Sequence, residues 1–318
     1  MNTISEKLSP RACKAEIIGY DSGWGCGNYL CEDGPASVRA DHVLHQLSIR
    51  DVVAKWRGPL GLKFLGRHDA LTTKEDTLPL VVEGLRRLFN CTNNAIENEY
   101  IPVVIGGDHA SAIGTWSGVV AGLRAAQNFG LIWLDAHLDA HTYETSKYGK
   151  WGGWWHGQPV SALVGEGLPQ LTGIGGARPT LSPEHISMIG IHSFEPQEKE
   201  FVQKHNIRVY YLDEVRERGF KEVYAEALQR ATTGTAGFGM SIDIDCFDPE
   251  AAPGVGTPEK AGLIPAEVLP SIKAAARHPL FRALEITEFN PHNDKNHKTR
   301  TLVEDIIGSV FAKTASDD

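Results

Sequence analysis

Two short segments of the chain alternate acidic and imidazole side chains. Asp135-Ala136-His137-Leu138-Asp139 offers three metal-ligating groups at every second position. In an extended segment that spacing turns Asp135, His137 and Asp139 to one side, where they can converge. A helix-capping Asp turn is the plainer reading of this segment. Ser241-Ile242-Asp243-Ile244-Asp245 repeats the alternation at the end of an apolar run. Two carboxylates side by side in such a setting need a cation or a shared proton. Gly106-Gly107-Asp108-His109 adds a second imidazole after a turn that glycine permits. Taken alone, His109 reads more simply as a satisfied structural histidine.

Taken together these segments supply four Asp and two His. Six such ligands can hold two divalent ions, with Asp135 and Asp243 as the natural bridges. Hard oxygen donors with imidazole suit manganese better than a thiolate-type zinc site, and also admit Fe, Co or Ni. Cys246 follows Asp245, but alternation turns it to the opposite face, so it is not counted. Two ions about 3.5–4 Å apart bind a bridging water, lower its pKa and deliver hydroxide at neutral pH. The chemistry indicated is hydrolysis. Near the C-terminus, Glu285-Ile286-Thr287-Glu288 adds one ordinary strand charge, Glu285, and one acid placed to line a cleft, Glu288. Asp248-Pro249 reads as a turn.

These clusters follow, or end, short apolar runs, which is where a parallel sheet builds its sites. The strands expected are Ala15–Gly19, Leu62–Gly66, Pro102–Ile105, Leu131–Leu134, Ser187–Ile191, Arg208–Leu212, Phe238–Ile242 and Arg282–Ile286. Most lack period-2 alternation, as strands buried on both faces do. Helices are expected at Thr77–Leu88, with Thr77 as N-cap and Pro79 in the first turn, and at Ala110–Ala126, Pro196–His205, Lys221–Ala231, Ala266–Arg277 and Thr299–Ala312. Strands alternating with helices signal a layered or barrel α/β fold. Thr142–Trp155 and Gly165–Pro183 read as long loops. The Gly-x-Gly fragments at Gly173–Gly176 and Gly237–Gly239 lack the strand–turn–helix setting of a dinucleotide site.

The chain has 318 residues, 42% hydrophobic and 22% charged, with a net charge of −9. That length and composition suit a globular chain with a substantial core. The acidic balance argues against nucleic acid or anionic membrane as a partner. Five scattered cysteines form no CxxC pair, so neither a zinc finger nor a disulfide framework is indicated. No signal-like or membrane-spanning apolar run is present. A protein of a reducing compartment is the default.

The three ligand-bearing motifs, in their order, resemble the metal motifs of the ureohydrolases, the superfamily of arginases, agmatinases and formimidoylglutamases. Two further segments resemble the arginases in particular. His156-Gly157-Gln158-Pro159-Val160-Ser161 is similar to the segment around the arginase proton-shuttle histidine. Glu288 in Glu288-Phe289-Asn290-Pro291 matches the glutamate that pairs with the substrate guanidinium, and Asp33-Gly34-Pro35 matches the family's early Gly-Pro. The resemblance covers nearly the whole chain.

What the resemblance implies is specific. The fold is a three-layer α/β/α sandwich with an eight-stranded, mostly parallel sheet, forming a single domain over residues 1–318 with both ends flexible. Two Mn²⁺ ions bind per subunit: one to His109, Asp135, Asp139 and Asp243, the other to Asp135, His137, Asp243 and Asp245. The hydroxide between them attacks the guanidinium carbon of L-arginine, giving L-ornithine and urea. Glu288 holds the guanidinium, His156 relays protons, and Asp139 counts as catalytic as well as a ligand. Agmatine or another guanidino acid is the alternative substrate, and a non-catalytic homologue the remaining reading. A homotrimer or homohexamer in the cytoplasm is implied.

Two departures stand out. Arginases place Asn two residues after the last Asp of the DAHxD motif, and Ser four residues before the shuttle histidine. Here those places hold His141 and Gly152, so the α-carboxylate is held differently, by His141, Thr142, Ser146 or Lys147, or the substrate lacks it. The run His192-Ser193-Phe194-Glu195-Pro196-Gln197-Glu198 matches the arginase RDVDPGE-like segment near the α-amino group. Glu195 and Glu198 therefore join His141 as expected substrate contacts. Trp151, Trp154 and Trp155 form a loop core, close the site, or meet a neighbouring subunit.

Overall fold

Eight strands hydrogen-bond into one sheet, and every pairing is parallel. The computed structural model describes residues 13–27, 30–64, 73–147, 153–176 and 179–312. The strands are β1 (Lys14–Gly19), β2 (Val53–Pro59), β3 (Ile101–Ile105), β4 (Gly130–Leu134), β5 (Ile186–Ile191), β6 (Arg208–Tyr211), β7 (Phe238–Asp243) and β8 (Phe281–Thr287). Their spatial order is β2-β1-β3-β8-β7-β4-β5-β6. Apolar side chains leave both faces of the central strands. In β4, Ile132 and Leu134 enter one core cluster while Leu131 and Trp133 enter another. That two-sided burial explains why these strands read as continuous apolar runs.

Helices cover both faces, giving three layers. The first face carries α1 (Ala40–Ser48), α5 (Leu212–Arg218), α6 (Phe220–Thr232), α7 (Pro265–Ala275) and α8 (Lys298–Val310). The second carries α2 (Lys74–Glu97), α3 (Ser111–Leu123) and α4 (Pro196–Lys204). Among the described residues no helix is long and apolar enough to cross a membrane.

Two expectations are corrected. The strand expected at Leu62–Gly66 is not one: Leu62–Phe64 is a 3₁₀ turn, and residues 65–66 lie outside the described residues. The backbone of Leu62 is committed elsewhere, its N–H to Asp21 and its carbonyl to the Trp24 indole. The eighth strand is instead β2, at the sheet edge and mostly exposed. Its Lys55 and Arg57 pair with buried Glu16 of β1. In α2, Thr77 is not the N-cap. Thr73 takes that place, in a reciprocal pair with Asp76, and the helix runs on to Glu97 because Leu88, Thr92 and Ala95 are buried. Helix α1 was not anticipated, and Thr142–Trp155 contains a helical turn, Tyr143–Ser146. Gly152 and Trp151 lie outside the described residues.

Candidate active site

The site sits at the carboxyl ends of β3, β8, β7 and β4, four strands adjacent in space but widely separated in sequence. After β3 the chain turns through Gly107, where any Cβ would lie 1.8 Å from the Ser22 carbonyl oxygen. Only glycine fits, and the turn presents His109. Asp108 stabilises the same corner by accepting from the N–H groups of Gly25 and Ala110.

His109 is fully buried and stacks on Trp133 at 4.1 Å. Its Nδ1 faces three carboxylates: Asp243 at 2.9 Å, Asp139 at 3.2 Å and Asp135 at 3.3 Å. Yet Nδ1 has hydrogen-bond geometry with no partner. On the other side of the ring, Nε2 lies 3.1 Å from the Ser241 hydroxyl. Ser241 donates its own proton to buried Glu285, whose other oxygen accepts from Ser111 and Thr115. The Ser241 oxygen therefore accepts from His109, so Nε2 carries a proton and Nδ1 is the nitrogen that would offer its lone pair to a cation taking the place of the proton the carboxylates hold there.

Asp135 accepts from the Trp133 indole at 2.8 Å and from the His137 N–H at 2.7 Å. His137 Nδ1 lies 3.2 Å from Asp245 and 3.5 Å from Asp135. Two ligand groups thus form, His109/Asp135/Asp243 and Asp135/His137/Asp245, sharing Asp135. Asp139 joins the first through His109. The convergence does not come from simple alternation. β4 ends at Leu134, and Asp139 reaches the cluster with φ at +46°. Asp243 ends β7 and caps a 3₁₀ turn, accepting from the Asp245 N–H, and that turn brings Asp245 round. Cys246 is buried in the core beneath.

The electrostatics match a cation site. Burial raises Asp139 to about 7, with Asp135 adding to the shift. Burial likewise raises Asp243, helped by Asp245 and Asp135. Burial opposes the ionised form of Asp135 too, but the two imidazoles hold it well below the usual carboxylate range. Crowded buried carboxylates, a histidine Nδ1 without a hydrogen-bond partner, and an all-oxygen-and-imidazole donor set fit divalent ions.

Above the ligands opens a cleft of about 470 Å³. Glu288 follows β8 with φ at +61° and is nearly buried. Its Oε1 accepts from the His109 N–H at 2.9 Å and lies 3.1 Å from His156 Nδ1. His156 is anchored by its N–H to the Gly25 carbonyl. Burial lowers the pKa of His156, but the Glu288 carboxylate overrides this and lifts it to about 10.

At the far end His141 Nε2 lies 2.7 Å from Glu195 and 3.6 Å from Glu198. Glu198 also accepts from the N–H groups of Glu195 and Ala140, tying the start of α4 to the ligand loop. Ser146 and Lys147 are engaged elsewhere, with Lys74 and Glu144. Trp154 lines the cleft, whereas Trp155 is core, its indole donating to the Lys74 carbonyl.

The structure brings together all six expected ligands, with His156, Glu288, His141, Glu195 and Glu198 around one cleft. Sequence reading missed Trp133, Ser241, Thr257, Glu259 and the role of Glu285. For Glu285 a signal existed: an acid flanked by the apolar residues Ala283, Leu284 and Ile286 of one strand.

Comparison with known proteins agrees with this geometry. The family model described as "Arginase family" matches residues 15–312. The chain is 33% identical over 298 residues to arginase from Bacillus caldovelox, covering 93% of this chain and 97% of that one. It is 31% identical over 295 residues to arginase from Brevibacillus brevis, covering 93% and 96%. The solved arginase of Bacillus subtilis superposes with a TM-score of 0.84 at 28% identity, covering 95% of this chain and 99% of that one.

Proposed function

The chain belongs to the arginase family, and on that premise we propose how its residues divide the family's work, the hydrolysis of L-arginine to L-ornithine and urea. The observation that carries the reading is the pair of ligand groups sharing Asp135 at the floor of the cleft. The protein is a metal-dependent hydrolase with a binuclear site. His109, Asp135, Asp139 and Asp243 would hold one ion, and Asp135, His137, Asp243 and Asp245 the other. The hard donor set favours Mn²⁺ for both. Such a pair, when bound, lowers the pKa of a water held between the ions.

The remaining work falls to the chain's own side chains. Hydrolysis adds a water oxygen to the guanidinium carbon and releases the chain nitrogen as an amine that must gain a proton. Glu288 faces the ligands with an ionised carboxylate suited to a charge-assisted pair with the guanidinium. His156 holds a proton within reach of the same carboxylate and would deliver it to the departing amine. Asp139 would orient the attacking group as well as bind an ion. Glu195 and Glu198 provide the negative charge an α-ammonium needs, with His141 beside them for the carboxylate. We further propose a homotrimer or homohexamer of the cytoplasm. The five cysteines include no CxxC pair and no disulfide-framework spacing, which accords with a reducing compartment.

The test is a substrate panel on Mn²⁺-loaded protein with urea as the readout. Urea release from L-arginine well above that from agmatine or guanidinobutyrate supports the reading. Agmatine turning over far faster than arginine overturns it.

A further inference from the structure

The two ligand histidines are oriented in parallel ways by unlike partners. Each turns Nδ1 into the carboxylate cluster and Nε2 away from it. For His109 the outer partner is Ser241, supported by Glu285, in the sheet. For His137 it is Glu259, whose Oε1 lies 3.4 Å from Nε2. An ionised carboxylate only accepts hydrogen bonds. With Glu259 as partner, Nε2 must carry the ring proton and Nδ1 keeps its lone pair for a cation.

The segment bearing Glu259 is not a loose loop. Val255 bridges to Phe289, the residue after Glu288, and accepts from the Asn293 side chain. At the far end Leu263 bridges to Phe247 and donates to the Cys246 carbonyl. Between these ties, Thr257 donates its hydroxyl to Asp245 at 2.9 Å. One short segment therefore touches both His137 and Asp245, and reaches neither His109 nor Asp139 by any hydrogen bond among the described residues.

We infer that Glu259 is a positioning residue for the second metal site: it fixes the tautomer and ring orientation of His137 from a loop anchored at both ends. The inference rests on His137 being a ligand of that ion. Partners of ligating histidines are worth about 10–100-fold in metal affinity, and here the effect is confined to one of two sites.

The experiment is Mn²⁺ titration of the full chain by calorimetry and electron paramagnetic resonance, for wild type, Glu259→Ala and Glu259→Gln, with circular dichroism as a check on folding. In Glu259→Ala one of the two dissociation constants rises about 10–100-fold and the other holds, with an unchanged spectrum. Glu259→Gln recovers most of the loss, because its amide oxygen still accepts. Two unchanged constants in Glu259→Ala overturn the inference. So do two constants that rise together, or a Gln variant no better than Ala. Wild type binding fewer than two Mn²⁺ overturns the binuclear reading itself, and this inference with it.

Discussion

His156 Nδ1 and Glu288 Oε1 lie 3.1 Å apart, and that oxygen also accepts the backbone N–H of His109. The group expected to bind substrate is therefore already paired with the group expected to move protons. Glu288 is what holds the imidazole protonated, against burial. A guanidinium arriving at Glu288 competes for the same charge, so substrate binding and release of the His156 proton are coupled.

Glu288→Gln removes that charge. Burial is then opposed only by the weaker pull of Cys26 and Asp139, and the His156 pKa falls below about 10, as read by NMR titration. Loss of the charge-assisted pair also raises KM for arginine by at least about tenfold. An imidazole that titrates unchanged in the variant contradicts the coupling.

His156→Ala should slow turnover by about 10²–10⁴-fold, the usual share of a general acid–base group. Bound manganese, measured by atomic absorption, stays near two per chain, since His156 touches Glu288 rather than the ligand carboxylates. Equal loss of metal would assign His156 to the metal site instead.

Asp135→Asn should remove metal and activity together. Its two oxygens serve both ligand groups, accepting from Trp133 on one side and from the His137 N–H on the other. Affinity for both ions falls by more than about 100-fold, beyond the loss typical of an outer partner. A variant that keeps one ion at wild-type affinity would show that the carboxylate does not bridge.

Stability of the metal-free protein should decline as pH rises from about 5 to 8. Asp139 and Asp108 stand at about 7, chiefly through burial, with Asp135 and Glu288 respectively adding to it. Both lie far above the unfolded value of about 3.9. The folded state thus holds more protons across that window, so stability present near pH 4 is lost as pH climbs towards 7. His109 and His137, raised by the surrounding carboxylates against burial, act in the same direction. The lowered carboxyls, Asp135 and Glu288, act oppositely but only below about pH 4.5. Melting of EDTA-treated protein at pH 5.5 and pH 8 checks this, with Mn²⁺ abolishing the trend. A flat or rising metal-free profile refutes it.

How much of this was legible in the sequence follows from where each residue sits. The ligands were, because their motifs lie at the ends of strands buried on both faces. The three-layer sandwich was legible from the same apolar runs. β2 was not, because an edge strand with one side in solvent carries Lys55 and Arg57, and its apolar signal is weak. Glu285 reads as an ordinary charge in the sequence because its three hydroxyl donors lie on α3 and β7, distant in sequence. Glu259 gave no sign, since only folding brings it from its loop to His137, 122 positions away.

The place of β8 in the sheet bears on how the protein is made. It is the last strand among the described residues, yet it lies between β3 and β7, the strands that deliver His109 and Asp243. While residues 281–287 are still inside the ribosome, the nascent sheet lacks its centre and the two ligand-bearing halves have nothing to join them. The ligands carried by β4 and β7 can already meet, but His109 joins them only once β8 has paired with β3 and β7. A chain truncated before β8 would be left with two open strand edges, a form prone to aggregation, and with His109 unjoined to the ligands of β4 and β7.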